Sequence, residues 1–244
     1  MAEKKDENSS SQKRGTAGTS FKGKFRDKLE EEASKEAVNA FRAWRQRAIN
    51  GVLPIGVSHV GKTTLLDKFG ADCPELFLDF NRTLKTKVEN YRLRQDFLAY
   101  CRGIEFYKRI DPPGEFPADW AKAYFDYNPR VLVVLVDDRP VDVQADALRR
   151  FLAAIAHGPT KWQRLKTVLN WRWGNLAGVL FVINKMDRLS DESVKGIEDA
   201  YKGILADLRS TLGAPIRTFR TSLTQDAEGT QRLFQSVVET FGHK

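Results

Sequence analysis

The stretch Gly56-Val57-Ser58-His59-Val60-Gly61-Lys62-Thr63 has the spacing G-x-x-x-x-G-K-[ST]. Backbone N–H groups in such a glycine-bounded loop can turn inward around an anion, and the lysine beside the second glycine adds a full positive charge. The chemistry is phosphate binding. Lys62 would reach β- and γ-phosphates, and the Thr63 hydroxyl would bind Mg²⁺. Thr64 to Phe69 reads as a helix start, whose positive end faces the same anion. Gly56, Ser58, His59, Val60, Gly61, Lys62, Thr63 and Thr64 are therefore the candidate phosphate contacts. His59 has two readings, a contact to phosphate or water and a solvent-facing loop residue.

Two further spellings follow. Asp111-Pro112-Pro113-Gly114 fits D-x-x-G. An aspartate at a strand end can hold Mg²⁺ through water, and a glycine N–H can bond a γ-phosphate oxygen. Alone this spelling is weak, because any Asp-Pro-Pro-Gly turn matches it. Asn184-Lys185-Met186-Asp187 fits N-K-x-D. A carboxylate can accept two N–H bonds from guanine, and adenine offers neither group at that edge. Asn184 can bridge base and phosphate loop, while the Lys185 stem can lie along the ring face. In isolation this motif also fits a plain polar turn.

The elements that must position these residues are legible from periodicity. Gly51 to Ile55 is a short buried strand ahead of the loop. Strands are expected over Val88 to Arg94 and Gly103 to Ile110, and a helix around Ala118 to Tyr127. Val131 to Val136 is a continuous β-branched and leucine run, the pattern of a central parallel strand buried on both faces. Val143 to Ala156 reads as a helix, Val179 to Ile183 as a strand, and Ser193 to Leu212 as a helix. Ile216 to Arg220 is the last strand and Thr230 to Phe241 the closing helix. Alternating strands and helices predict an α/β three-layer sandwich with a mostly parallel central sheet. Ligands on such sheets bind beyond the carboxyl ends of the strands, and each motif follows a predicted strand.

With its motifs in this order, the sequence resembles a P-loop GTPase of the Ras-like and translation-factor class over about Gly51 to Lys244, and the expected fold is that of a P-loop NTPase. Thr221-Ser222-Leu223 resembles the family loop whose backbone N–H recognises the guanine carbonyl, which adds Ser222 and Leu223 to the binding set. Trp120 to Tyr127, followed by Val131 to Val136, looks most like Arf-like and signal-recognition-receptor-β-like members. The resemblance implies a switch that binds GTP and GDP with Mg²⁺, in which the γ-phosphate orders two loops and hydrolysis releases them. Lys62, Thr86, Gly114 and Glu115 would form the catalytic set, and Thr63, Thr86 and Asp111 would serve the metal. Thr86 fits the effector-loop spelling best, with Thr83 as the alternative.

The sequence departs from the family in two places. Glu115 stands where Ras-like members usually carry the glutamine that orients the attacking water. A carboxylate there repels the γ-phosphate and lacks the amide donor. Ser58 and His59 stand where glycines are common, and their side chains would crowd an arginine supplied by a partner. Slow hydrolysis is expected, and the competing readings are a non-hydrolysing guanine-nucleotide-binding scaffold and a nucleic-acid- or ribosome-associated GTPase.

The chain has 244 residues, 41% hydrophobic and 30% charged, enough for one globular domain with tails or at most two small domains. Cys73 and Cys101 fit a reducing compartment better than a disulfide framework. No apolar run is long enough to span a bilayer, and a cytoplasmic location, peripheral at a membrane in one reading, is expected. The net charge of +8 points to an acidic partner surface, RNA or an anionic membrane, or simply to solvated helix faces and a basic tail. Residues 1–24 read as a disordered basic tail, 25–50 as an amphipathic helix, and 51–244 as the nucleotide-binding domain. His157 to Gly178 interleaves Lys161, Trp162, Arg164, Lys166, Trp171, Arg172 and Trp173. Such a segment can stack on bases, enter a membrane interface or dock a protein effector, and it can equally be a helix with core tryptophans.

Overall fold

The computed structural model describes residues 51–70, 85–92, 94, 106–159 and 176–242. The expected tail over 1–24, the helix over 25–50, Thr83 and most of the tryptophan-rich segment lie outside the described residues.

Within them, β1 (Gly51–Ile55) leads into α1 (Lys62–Phe69). The antiparallel pair β2 (Lys87–Arg92) and β3 (Phe106–Asp111) follows, then α2 (Pro117–Tyr127). Next come β4 (Val131–Val136), α3 (Val141–Ala156) and β5 (Gly178–Ile183). A short 3₁₀ turn (Met186–Arg188), α4 (Asp191–Leu212), β6 (Ile216–Arg220) and α5 (Ala227–Gly242) complete the order. The six strands form one sheet in the order β2-β3-β1-β4-β5-β6. Every pairing except β2 with β3 is parallel. The fold is thus the α/β sandwich with a mostly parallel sheet.

Strand alternation divides the core into two. Leu53, Ile55, Leu132, Val134, Val136, Phe181 and Ile183 face one side, against Trp120 of α2, Phe151 of α3 and Tyr201 of α4. Val52, Val131, Val133, Leu135, Leu180 and Val182 face the other, against Leu65 and Phe69 of α1 and Phe234 and Val237 of α5. A strand with both faces covered has no polar side to offer, so β4 is apolar at every position. No helix among the described residues is long and apolar enough to cross a membrane.

Several helices begin earlier than periodicity predicts. α4 starts at Asp191 rather than Ser193, because Ser190 caps it by accepting from the Ser193 backbone N–H at 3.2 Å. α3 starts at Val141, directly after Pro140, and α2 begins with Pro117 at its first position. These polar and proline-led first turns carry no apolar repeat, so period alone misses them.

Candidate functional site

The β1–α1 loop is built to bring the backbone close to other chain segments. Gly61 sits at φ 102°, in the region that favours glycine, and a Cβ there would lie 2.6 Å from Asn184 Nδ2. His59 also adopts a positive φ of 62° and is exposed. Lys62 folds back over the loop. Its Nζ donates to Gly56 O at 2.9 Å and Val57 O at 3.0 Å. Burial pulls the Lys62 ammonium down to about 8; Asp111 opposes the shift and Arg139 adds to it. Val60 is buried in the core, and Thr64 lies in the first turn of α1.

The end of β3 meets this loop. Thr63 Oγ1 donates to Asp111 Oδ2 at 2.8 Å. Asp111 is fully buried, and its Oδ1 has no hydrogen-bond partner. An orphaned buried carboxylate oxygen beside a threonine hydroxyl is an acceptor that a hydrated divalent cation would satisfy, so the donor set fits Mg²⁺. Arg109, on the same strand, pairs with Asp67 of α1 and reaches Asp111 Oδ2 at 3.4 Å, which ties β3 to α1. Thr86 is half-buried and directly precedes β2, whose first residue, Lys87, is paired with Asp111.

Gly114 closes over the phosphate loop. A Cβ built on it would collide with the Ser58 backbone N and lie 2.7 Å from Lys62 Nζ. Ser58 Oγ is buried there without a partner. Glu115 is exposed and, with Ser58, Gly114, Arg139 and Val143, lines a groove of about 430 Å³.

The loops after β5 and β6 converge on the other side of the phosphate loop. Asn184, 4% exposed, donates from Nδ2 to Val60 O at 2.9 Å and accepts at Oδ1 from Leu223 N–H at 3.0 Å. One amide thus ties three loops. Asp187 accepts from the Ser222 hydroxyl, and Thr221, Ser222 and Leu223 are all buried. Lys185 takes a left-handed backbone, φ 61°. Its Nζ lies 2.6 Å from Asp137 Oδ2.

Asp137 is the residue that motif reading missed. It follows β4 directly and is fully buried. Arg139 Nε and Nη2 donate to its carboxylate at 2.9 and 2.8 Å, and Arg139 Nη1 also donates to the Ser58 carbonyl. Gln144 of α3 receives the Asp137 backbone N–H at 3.1 Å. Burial alone would raise the Asp137 carboxyl, but the hydrogen bonds from Arg139 and Lys185 outweigh it and hold the group below its usual value. One carboxylate therefore links the Asn184–Asp187 loop to the phosphate loop. The only sequence signal was two acidic residues at the end of a predicted central strand.

No protein-family model and no curated protein matches the sequence. Among solved structures, the chain is similar to the bacterial selenocysteine-specific elongation factor EF-Sec, with a TM-score of 0.50 and 14% identity, over 79% of this chain and 28% of that one. It is also similar to translation elongation factor SelB from Methanococcus maripaludis in complex with the GTP analogue GppNHp, with a TM-score of 0.44 and 17% identity, over 79% of this chain and 34% of that one. The chain thus spans well under two thirds of the length of either. The first likeness shows a shared fold, the α/β sandwich with a mostly parallel sheet.

Proposed function

We propose that the chain is a guanine-nucleotide-binding regulatory switch that takes GTP and GDP with Mg²⁺ and hydrolyses GTP slowly. The observation that carries this reading is the Asn184 amide bound at once to Val60 O and Leu223 N–H, which ties the Asn184–Asp187 loop to the phosphate loop, while Thr63 just after that loop meets Asp111 at the end of β3. In this reading the loop amides and Lys62 hold the phosphates. Thr63, Asp111 and Thr86 hold the metal, and Asn184, Lys185, Asp187, Ser222 and Leu223 select guanine. Bound Mg²⁺ would offset charge on the β- and γ-phosphate oxygens. Hydrolysis adds water at the γ-phosphorus as its bond to the bridging oxygen breaks, giving GDP and inorganic phosphate.

Glu115 is the weak member of this set. Its carboxylate cannot donate to the attacking water as an amide would, so turnover below roughly 10⁻² s⁻¹ is expected. The same residue favours a second reading, a scaffold that binds guanine nucleotide without hydrolysing it. A protein effector, and an RNA or anionic-membrane surface met by the basic segments, are the proposed partners, with a cytoplasmic setting. The finer likeness to Arf-like and signal-recognition-receptor-β-like members is supported by the spelling of residues 120–136.

The test is to identify nucleotide that co-purifies and to titrate GDP, GTP and ATP with and without Mg²⁺. Guanine-only binding that collapses in Asp187→Ala is the expected result, and adenine binding of equal strength refutes it. Single-turnover hydrolysis then separates slow switch from scaffold.

A further inference from the structure

Gly114 and Lys62 are the two groups expected to meet a terminal phosphate, and here they meet each other. The Gly114 α-carbon leaves no room for a side chain against Lys62 Nζ or the Ser58 backbone N. A phosphoryl group held by both would need a hydrogen bond of about 2.9 Å on each side, with the anion between them. With the turn down, a Cβ on Gly114 would collide with the Ser58 backbone N and fall 2.6 Å from its α-carbon, so the two backbones leave no room for a phosphoryl group between them wherever Lys62 points. A diphosphate asks less, because the flexible Lys62 stem can swing from Gly56 O and Val57 O to a β-phosphate without moving Gly114.

The turn is held down by Trp120 of α2. Its Nε1–H donates to Pro113 O at 2.7 Å, and the whole residue is buried. The indole packs against Phe151, with ring centroids 6.4 Å apart. Pro112 and Pro113 fix two backbone φ angles in the same turn, and both are buried with Gly114. Lifting the turn would strand a buried indole N–H and a carbonyl, each at a real cost.

We propose that Trp120 is a specificity-determining positioning residue: through Pro113 it holds Gly114 over the phosphate loop, so the chain favours a guanine nucleoside diphosphate over the triphosphate. This rests on the guanine-nucleotide reading above. Trp120 itself touches no nucleotide, so the readout is a ratio of affinities rather than stability.

The experiment is calorimetric titration of the full chain with GDP and with the non-hydrolysable analogue GppNHp, both with Mg²⁺. The native chain is expected to bind GDP at least about tenfold more tightly. Trp120→Phe keeps the ring in the core and deletes the donor. It should leave GDP affinity near native and narrow the ratio by about three- to tenfold, the worth of one buried hydrogen bond. Pro113→Ala keeps Trp120 and the acceptor carbonyl but frees the backbone. It should narrow the ratio by about two- to fivefold, and it decides the matter where Trp120→Phe does not fold. Equal GDP and GppNHp affinity in the native chain, or an unchanged ratio in the folded variants, overturns the latch and leaves the proposed function standing. Absence of any guanine-nucleotide binding overturns both.

Discussion

Lys62 carries its charge where burial resists it. Its value of about 8 compares with 10.5 for an ordinary lysine. Between those two values the unfolded chain holds more protons than the folded one, so the unliganded fold gains stability as pH rises from about 8 toward 10.5. Phosphate binding has the opposite slope. It needs the ammonium, so nucleotide affinity should fall by up to about tenfold per pH unit above pH 8. GDP titrations across this range check the claim, and a flat profile would show that the charge on Lys62 does not carry phosphate recognition. At this scale the short spacings of the sequence mark stretches that the structure brings together, Gly56 to Thr63 and Asn184 to Asp187 through the Asn184 bond to Val60 O. The sequence was silent on Asp137. Its partner Arg139 is two residues away, but Lys185 lies 48 residues from Asp137 and the Ser58 that Arg139 reaches lies 81 residues from Arg139, so the cluster forms only through the sheet order.

The elements were legible for a different reason, the difference between burial on one side and burial on both. β4, apolar throughout, was marked by its six residues alone, and β6 was found at its full length. α4 shows where period stops being informative. Its apolar stripe starts at Val194, whereas the helix is closed by a cap before the stripe begins. Ser190 satisfies one of the orphan N–H groups of the first turn, and Asp191 and Glu192 place negative charge at the positive end of the helix. Ser190→Ala should therefore cost about 1 kcal/mol in urea unfolding, with guanine-nucleotide affinity near native. A loss under a few tenths of that amount would mean that solvent, not Ser190, satisfies the turn. The antiparallel β2 was not specified by its spelling, because only Val88, Tyr91 and Leu93 alternate there, and loosely. Its direction follows from pairing with β3, from Lys87 opposite Asp111 to Arg92 opposite Phe106.

For the whole molecule, the candidate site is a convergence rather than a stretch. Lys62 and Thr63 follow β1, Asp111 ends β3, Asn184 follows β5 and Leu223 follows β6, so one ligand would touch loops from four strands of the same sheet. A ligand that binds only this convergence must stabilise the whole fold, since the unfolded chain cannot assemble it. At GDP one hundredfold above its dissociation constant the gain is about 2.7 kcal/mol. In a domain of this size that raises the melting temperature by roughly 5–10 °C. Asn184→Ala should shrink the shift more than removal of an exposed charge such as Lys202, because Asn184 ties three of the converging loops and Lys202 only its neighbour Asp199. ADP should give almost no shift, because Asp187 can pair with the guanine edge and not with adenine. A shift with ADP as large as that with GDP would place recognition elsewhere than in the Asn184 to Asp187 loop, and would leave the phosphate loop as the sole binding element.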